Sequence, residues 1–145
     1  MKLKIDEIPN LNETEIIIRC QKVDNKIMKI SNYLRTNYIT IVGKLDNETY
    51  VLNLDDIFYF EAVENKVFAY VEKEVYEVNY KLQKLTELLE RTSFIQTART
   101  IILNINKIDR VSTLVNGRIG AVLANGEKMI ITRAYARGFK KKLSE

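Results

Sequence analysis

Two short polar pairs interrupt apolar, β-prone stretches of this 145-residue chain. Arg99 and Thr100 lie in the middle of one such run (residues 94–108), and Thr132 and Arg133 directly follow two isoleucines. A guanidinium presents a planar fork of donors that fits a phosphate or a guanine edge, and a threonine hydroxyl can donate to phosphate. Two such pairs at strand ends predict one basic recognition surface. The alternative is that both arginines form ordinary surface salt bridges.

Basic residues are concentrated toward the C-terminus. Residues 1–90 carry 12 Lys and Arg against 16 Asp and Glu, a net charge of −4, whereas residues 91–145 carry 11 against 3, a net charge of +8. A segregated positive field raises the local concentration of polyanions, and nucleic acid is the commonest such partner. A solvated basic face would explain the charge equally well.

The composition argues against an enzyme. The chain has no histidine, so Ser-His-Asp and Cys-His nucleophilic sites cannot be built. The adjacent acid pair Asp55 and Asp56 sits where a strand is predicted to begin, and neighbouring strand residues point to opposite faces. Neither a glycine-rich phosphate loop nor a metal-ligand pattern is found. We therefore expect no catalytic residues, no metal, no cofactor and no small-molecule substrate.

The sequence predicts a cytoplasmic protein. Cys20 is the only cysteine, so an intrachain disulfide and a cysteine-based metal site are excluded. Acidic residues stand at positions 6 and 7, where a signal peptide would be apolar, and no apolar run reaches the roughly 18 residues needed to span a bilayer.

An N-terminal appendage over residues 1–36 is predicted to precede the main domain, residues 37–145. Glu15–Cys20 reads as a short buried strand. An amphipathic helix to about Arg35 follows, with Asp24 near its start and a stripe at i, i+4, i+7 and i+11 formed by Val23, Ile27, Ile30 and Leu34. This stripe either packs on the core or pairs across a two-fold axis.

From residue 37 onward the pattern predicts a mainly β fold of the α+β class. The predicted strands are Tyr38–Val42, Thr49–Leu54, Asp56–Ala62, Lys66–Val71, Val75–Val78, Phe94–Leu103, Ile108–Leu114, Arg118–Leu123 and Lys128–Thr132. Helices are predicted over Lys81–Glu90, with Asn79 as N-cap, and over Ala134–Leu143. The dipeptides at 116–117 and 125–126 are both Asn-Gly, the strongest signal for a type I′ hairpin turn.

Several segments together resemble the LytTR family of bacterial DNA-binding domains. They are Leu54–Ala62, the leucine helix Leu82–Leu89, Phe94–Asn104 with Ile108, and the stretch from Asn125-Gly126 to Thr132-Arg133-Ala134-Tyr135. Each motif is weak alone, but their order and spacing are fairly specific. The resemblance covers roughly Tyr38–Leu143.

The resemblance implies an elongated, mostly antiparallel β-structure that places loops, rather than a recognition helix, in the major groove of double-stranded DNA. The implied contact residues are Asn65 and Lys66, Arg99 and Thr100, and Arg133, with Lys81 as a weaker candidate for a phosphate contact. A role for Asn65 in holding its turn is an equally good explanation of that residue. Asn104, prominent in the family pattern, is assigned to structure near a turn. The implied protein is a sequence-specific transcriptional regulator that acts as a homodimer.

The chain departs from the family pattern at both arginines. Many members have His-Arg-Ser where this chain has Ala98-Arg99-Thr100, and Ser-Arg where it has Thr132-Arg133. Loss of the histidine removes one expected contact, so a different site preference is expected. The family's usual receiver domain is not found here. That arrangement resembles stand-alone LytTR regulators, which are often held in check by an inhibitory membrane protein.

Two other functions are compatible with the residues. A basic protein-interaction module would bind an acidic partner through the same charges. An RNA-binding β-domain would stack bases on exposed aromatic rings, for which Tyr70, Tyr76 and Tyr80 are candidates. Strand tyrosines are more often cross-strand packing pairs.

Overall fold

The computed structural model describes residues 1–144, without the side chain of Thr36; Glu145, the last residue of the predicted main domain, lies outside the described residues. The described helices are α1 (Asn25–Tyr38), α2 (Leu82–Leu88) and α3 (Arg133–Leu143). The described strands are β1 (Thr40–Leu45), β2 (Glu48–Asn53), β3 (Ile57–Val63), β4 (Lys66–Val71), β5 (Val75–Val78), β6 (Phe94–Ala98), β7 (Ile101–Asn104), β8 (Ile108–Thr113), β9 (Ile119–Leu123) and β10 (Lys128–Ile131).

The strands form two antiparallel sheets. The larger sheet has seven strands in the order β2-β1-β5-β4-β3-β7-β6, and the smaller sheet is the meander β10-β9-β8. Every strand pair in the described part of the chain is antiparallel. The predicted mainly β, mostly antiparallel fold class is confirmed.

Helix α2 and the smaller sheet provide separate packing partners for the seven-stranded sheet. Leu85 and Leu89 are buried in one cluster with Phe60 of β3 and Phe94 of β6. A second cluster joins Phe58, Tyr59 and Leu103 to Leu123 of the smaller sheet. Since β3 contributes residues to both clusters, this strand holds both layers together.

Helix α3 closes the smaller sheet. Ala136 and Phe139 are buried against Ile119 and Ile131, with Ile95 of β6 packed at the margin of the same cluster. The predicted docking of this helix on a sheet is therefore confirmed. The exposed lysines of its last turn are Lys140 and Lys141.

The strand predictions agree closely with the structure. The bounds of β4 and β5 are those predicted, and the remaining strands are displaced by a few residues at most. The predicted run Phe94–Leu103 forms two strands, β6 and β7, because the chain reverses at Arg99 and Thr100. The polar pair thus forms a hairpin turn.

The two Asn-Gly dipeptides adopt different turns. Asn116 and Gly117 both have positive φ, 64° and 74°, as a type I′ turn requires. At the second dipeptide only Gly126 has positive φ, 87°, so the type I′ prediction there is wrong. The side chain of Asn125 accepts a hydrogen bond from the N–H of Glu127 at 3.0 Å, and this Asx turn stabilises the observed conformation.

The N-terminal appendage is only partly as predicted. Asp24 is the N-cap of α1, and its carboxylate accepts from the N–H of Ile27 at 2.9 Å. The strand predicted for Glu15–Cys20 is not formed: no strand among residues 1–144 pairs with this segment, and Ile16, Ile17 and Ile18 are 53%, 68% and 38% exposed. High β propensity alone does not make a strand without a neighbouring edge to pair with.

The N-cap predicted for the leucine helix is also wrong. Lys81, not Asn79, occupies the N-cap of α2, and no side chain caps the first turn. The N-cap of α2 therefore lies two residues later in the chain than predicted from the capping preference of asparagine.

Buried polar and aromatic residues settle two other assignments. Asn104 is 1% exposed, donates to the carbonyl of Ile57 at 2.9 Å and accepts from the N–H of Asn106 at 3.0 Å, so its structural role is confirmed.

Tyr70 stacks on Tyr59 with ring centroids 4.4 Å apart, and Tyr76 packs edge-on against Tyr50 at 5.3 Å. Tyr80 packs at the margin of the α2 cluster. Cross-strand packing accounts for Tyr70 and Tyr76, and packing against the core accounts for Tyr80.

Candidate nucleic-acid interface

The turn between β6 and β7 presents Arg99 and Thr100 to solvent. Both residues are exposed, and the pairing of the two strands shifts register between Gln96 and Ala98. The side-chain amide of Gln96 donates to the carbonyl of Arg99 at 3.2 Å. The backbone under Arg99 is therefore held from within the hairpin, while its guanidinium projects from the turn.

Arg133 is brought to the same end of the domain by a contact between the two sheets. The N–H of Thr132 donates to the carbonyl of Thr97 at 3.0 Å, and the Thr132 hydroxyl lies 3.4 Å from the same oxygen. Arg99 is two residues beyond Thr97, and Arg133 is one residue beyond Thr132. Chain geometry then limits the separation of the two arginine Cα atoms to roughly 17 Å.

The β3–β4 hairpin lies beside the same turn. The N–H of Ala62 donates to the carbonyl of Thr100 at 2.9 Å, and the tip that follows carries the exposed Asn65 and Lys66. Lys66 forms an exposed ion pair with Glu77 at 3.8 Å. A pair at that distance in water contributes little, so Lys66 can exchange Glu77 for another anion.

Lys81 lies farther from this group. It is exposed and follows Val78, which pairs with Val67 next to Lys66. Four strand spacings of about 4.8 Å separate β5, which leads to Lys81, from β6, which leads to Arg99, because β4, β3 and β7 lie between them. The structure thus brings together Asn65, Lys66, Arg99, Thr100 and Arg133, here called the turn surface.

The turn between β8 and β9 adjoins this surface, a relationship that sequence reasoning missed. A Cβ built on Gly117 would lie 3.1 Å from Cγ of Arg133. Asn116, the residue before Gly117, is exposed. The Asn-Gly signal identified the turn but carried no information on what packs against it.

The two arginines of the turn surface are free of internal ion pairs. Within residues 1–144, neither Arg99 nor Arg133 has a carboxylate within 4.0 Å, unlike Arg110, which contacts Asp109 at 2.7 Å. The salt-bridge alternative is thus wrong for both. An unpaired, exposed guanidinium is available for a bidentate contact with phosphate or a guanine edge.

A β scaffold with exposed, unpaired arginines at a hairpin turn and at the start of α3 defines a domain suited to binding a polyanion. The chain matches the family model described as LytTr DNA-binding domain over residues 47–144. The chain therefore belongs to the LytTR family and carries the DNA-binding domain of a transcriptional regulator. The resemblance found in the sequence is confirmed.

Individual relatives agree with the family match. The chain is 26% identical to an uncharacterized HTH-type transcriptional regulator of Staphylococcus aureus, over 98% of this chain and 99% of that protein. It is 31% identical to the sensory transduction protein LytT of Enterococcus faecalis over 68% of this chain, and the match spans 40% of that longer protein.

A solved structure supports the fold. The LytTr DNA-binding domain of a putative methyl-accepting/DNA response regulator from Bacillus cereus superposes with a TM-score of 0.67 at 25% identity, covering 73% of this chain and 97% of that one. No helix in residues 1–144 combines the length and apolar character needed to cross a membrane.

Proposed function

We propose that this chain regulates transcription by binding double-stranded DNA sequence-specifically through the turn surface. The observation that carries the proposal is the pair of exposed, unpaired arginines on the segments joined by the Thr97–Thr132 hydrogen bond. Side chains on turns of a rigid sheet can enter a groove without a recognition helix.

Each residue of the turn surface has a role that follows from its chemistry. Arg99 and Arg133 would read guanine edges or clamp phosphates, since their forks allow two parallel hydrogen bonds. Lys66 and Thr100 would contact phosphate, and Lys81 would add a peripheral phosphate contact. Asn65 would read adenine from the tip of the β3–β4 hairpin.

Binding to a selected duplex tests this proposal. A duplex would first be selected by the wild-type protein from a randomised pool, and Arg99→Ala and Arg133→Ala would then be titrated against it by anisotropy. Each variant should lose roughly 1 to 3 kcal/mol of binding free energy on the selected duplex. Arg110→Ala is the matched control, because it removes the same charge from an exposed arginine already paired with Asp109.

The same titration separates the competing functions. If either variant of the turn surface bound like the wild type while Arg110→Ala lost affinity, the assignment would be refuted. Equal, salt-sensitive binding to heparin and to any duplex would favour a basic protein-interaction module. Preference for single-stranded RNA over the duplex would favour an RNA-binding domain, although the candidate rings Tyr70, Tyr76 and Tyr80 are packed against other residues.

We further propose that residues 1–36 form an appendage through which the domain, residues 37–145, dimerises. Support comes from the stripe on α1: Ile27, Ile30 and Leu34 are only half-buried and Val23 is 58% exposed. A symmetric pair of such helices would bury the stripe and place two turn surfaces on repeated half-sites.

Sedimentation of the wild type and of Ile27→Glu tests this second proposal. The wild type should sediment as a dimer and the variant as a folded monomer with the circular-dichroism spectrum of the wild type. A monomeric wild type would refute dimerisation through α1, and the stripe would then be open to the other partner the family resemblance implies, an inhibitory membrane protein.

A further inference from the structure

The turn between β8 and β9 holds the side chain of Arg133, and its glycine makes this possible. A Cβ on Gly117 would lie 3.1 Å from Cγ, 3.5 Å from Cδ and 3.6 Å from Nε of Arg133. These three atoms form the outer stem of the arginine, so the stem runs along the face of the glycine where any other residue would carry its side chain.

The turn itself is firmly held. The N–H of Leu114 donates to the carbonyl of Arg118 at 3.0 Å, closing the hairpin. The carbonyl of Val115 accepts from both the backbone N–H of Arg118 at 3.5 Å and its Nε at 3.3 Å. Because Arg118 is committed to its own turn, Gly117 presents a fixed surface to Arg133.

The backbone of Arg133 is fixed from the other side. Arg133 is the first residue of α3, and the preceding residue, Thr132, is tied to Thr97 of β6. With its backbone held by β6 and its stem seated on the β8–β9 turn, Arg133 retains less rotamer freedom than an ordinary exposed arginine. Ordering a long side chain before binding lowers the entropy lost on binding.

We infer that Gly117 is a positioning residue that holds the Arg133 side chain in place for its contact with DNA. The β8–β9 turn thereby affects the affinity of the Arg133–DNA contact without contacting DNA itself. This inference rests on the proposed function of Arg133. The claim that Gly117 holds the Arg133 side chain in place can be tested in the free protein, without DNA.

The chain supplies a matched control for a glycine substitution. Gly126 also follows an asparagine in a hairpin turn and has a positive φ of 87°, close to the 74° of Gly117, but a Cβ on Gly126 would meet nothing within 4 Å. Gly117→Ala and Gly126→Ala therefore impose the same kind of backbone strain, and only the first displaces Arg133. Gly117→Asn repeats the displacement with a residue that tolerates positive φ, in case the alanine variant does not fold.

Two measurements test the inference. In NMR spectra of the free protein, the Nε–H resonance of Arg133 should shift in Gly117→Ala and Gly117→Asn and stay in place in Gly126→Ala. On the selected duplex, the two Gly117 variants should lose at least about threefold in affinity, whereas Gly126→Ala should bind like the wild type. Combined with Arg133→Ala, the Gly117 substitution should cause no additional loss.

Two outcomes would overturn the inference. One is an unmoved Arg133 resonance in both Gly117 variants, and the other is an affinity loss from Gly117→Ala that persists in full in the Arg133→Ala background. If Arg133→Ala itself bound like the wild type, the proposed role of Arg133 in DNA binding would fail, and the NMR measurement alone would decide whether Gly117 seats this side chain.

Discussion

The N–H of Thr132 donates to the carbonyl oxygen of Thr97 at 3.0 Å, and this contact joins the last strand of the smaller sheet to the edge strand of the larger one. The two residues are 35 positions apart in the sequence. Each is followed within two residues by an exposed arginine of the turn surface. The spacing of these arginines thus depends on how the two sheets dock.

Deleting the Thr132 N–H should loosen that docking. Thr132 has φ of −70°, which proline adopts, so Thr132→Pro removes the donor with little change in backbone angle. We expect a loss of about 1 to 3 kcal/mol in the free energy of unfolding, because the Thr97 carbonyl loses its backbone donor. Thr132→Val keeps the N–H and removes only the hydroxyl at 3.4 Å, so it should be nearly neutral. Equal urea-unfolding midpoints for the two variants would contradict this role.

Lys66 should contribute to DNA binding without contributing to sequence preference. Lys66→Ala should lower the slope of log Kobs against log salt by about one unit, and it should weaken binding to selected and unselected duplexes alike. Loss of the 3.8 Å ion pair with Glu77 should leave stability almost unchanged. Lys73 in the β4–β5 turn, at the opposite end of β4, is the matched control. An unchanged salt slope for Lys66→Ala, or an equal change for Lys73→Ala, would exclude a phosphate contact at Lys66.

Local pattern was sufficient to predict most of the strands. The β4 and β5 strands lie at their predicted bounds because short β-prone runs and polar turns at 64–65 and 72–74 define them without reference to the rest of the chain. The same holds for the type I′ turn at Asn116 and Gly117, whose positive φ values are a property of the dipeptide itself.

Long-range contacts account for what the sequence did not predict. Residues 15–20 have the composition of a strand, but a strand forms only where another edge accepts its hydrogen bonds, and none in the described chain does so. The proximity of Gly117 to Arg133 depends on how α3 packs over the smaller sheet, and no local signal encodes it. Arg99, Thr100 and Arg133 were found because each is a polar residue where an apolar strand would otherwise continue. The family resemblance was needed to propose Asn65, Lys66 and Lys81.

Asn104 should be required for folding rather than for binding. Its side chain accepts from Ser93 Oγ at 2.8 Å and from the N–H of Asn106, and donates to the carbonyl of Ile57. Asn104→Ala would leave these buried groups without partners, and we expect a loss of at least about 2 kcal/mol in the free energy of unfolding. Asn106→Ala, an exposed position, should be close to neutral by the same denaturant titration. Weakened DNA binding by a fully stable Asn104→Ala protein would contradict this assignment.

The Tyr59–Glu127 pair links the two sheets on the face opposite α2. Tyr59 Oη donates to Oε1 of Glu127 at 2.9 Å, while Oε2 of the same carboxylate is buried with no partner in the described structure. Tyr59→Phe would leave the carboxylate without its phenol donor, so we expect a loss of about 1 to 3 kcal/mol in the free energy of unfolding at pH 7.

This loss should shrink at high pH. Burial, followed by the hydrogen bond to Glu127, raises the pKa of Tyr59 above its ordinary value of 10.0. Below pH 10 the phenol is protonated in both the folded and unfolded chains, and its stabilising contribution is complete. Above pH 10 only the unfolded phenol ionises, so the free energy of unfolding of the wild type should fall. The Tyr59→Phe variant lacks this phenol, so its free energy of unfolding should not show this fall. Urea unfolding of both proteins between pH 8 and about 11 measures the difference. A difference that stayed constant across that range would mean that the phenol titrates alike in the folded and unfolded states, and the pair would then not be a buried link between the sheets.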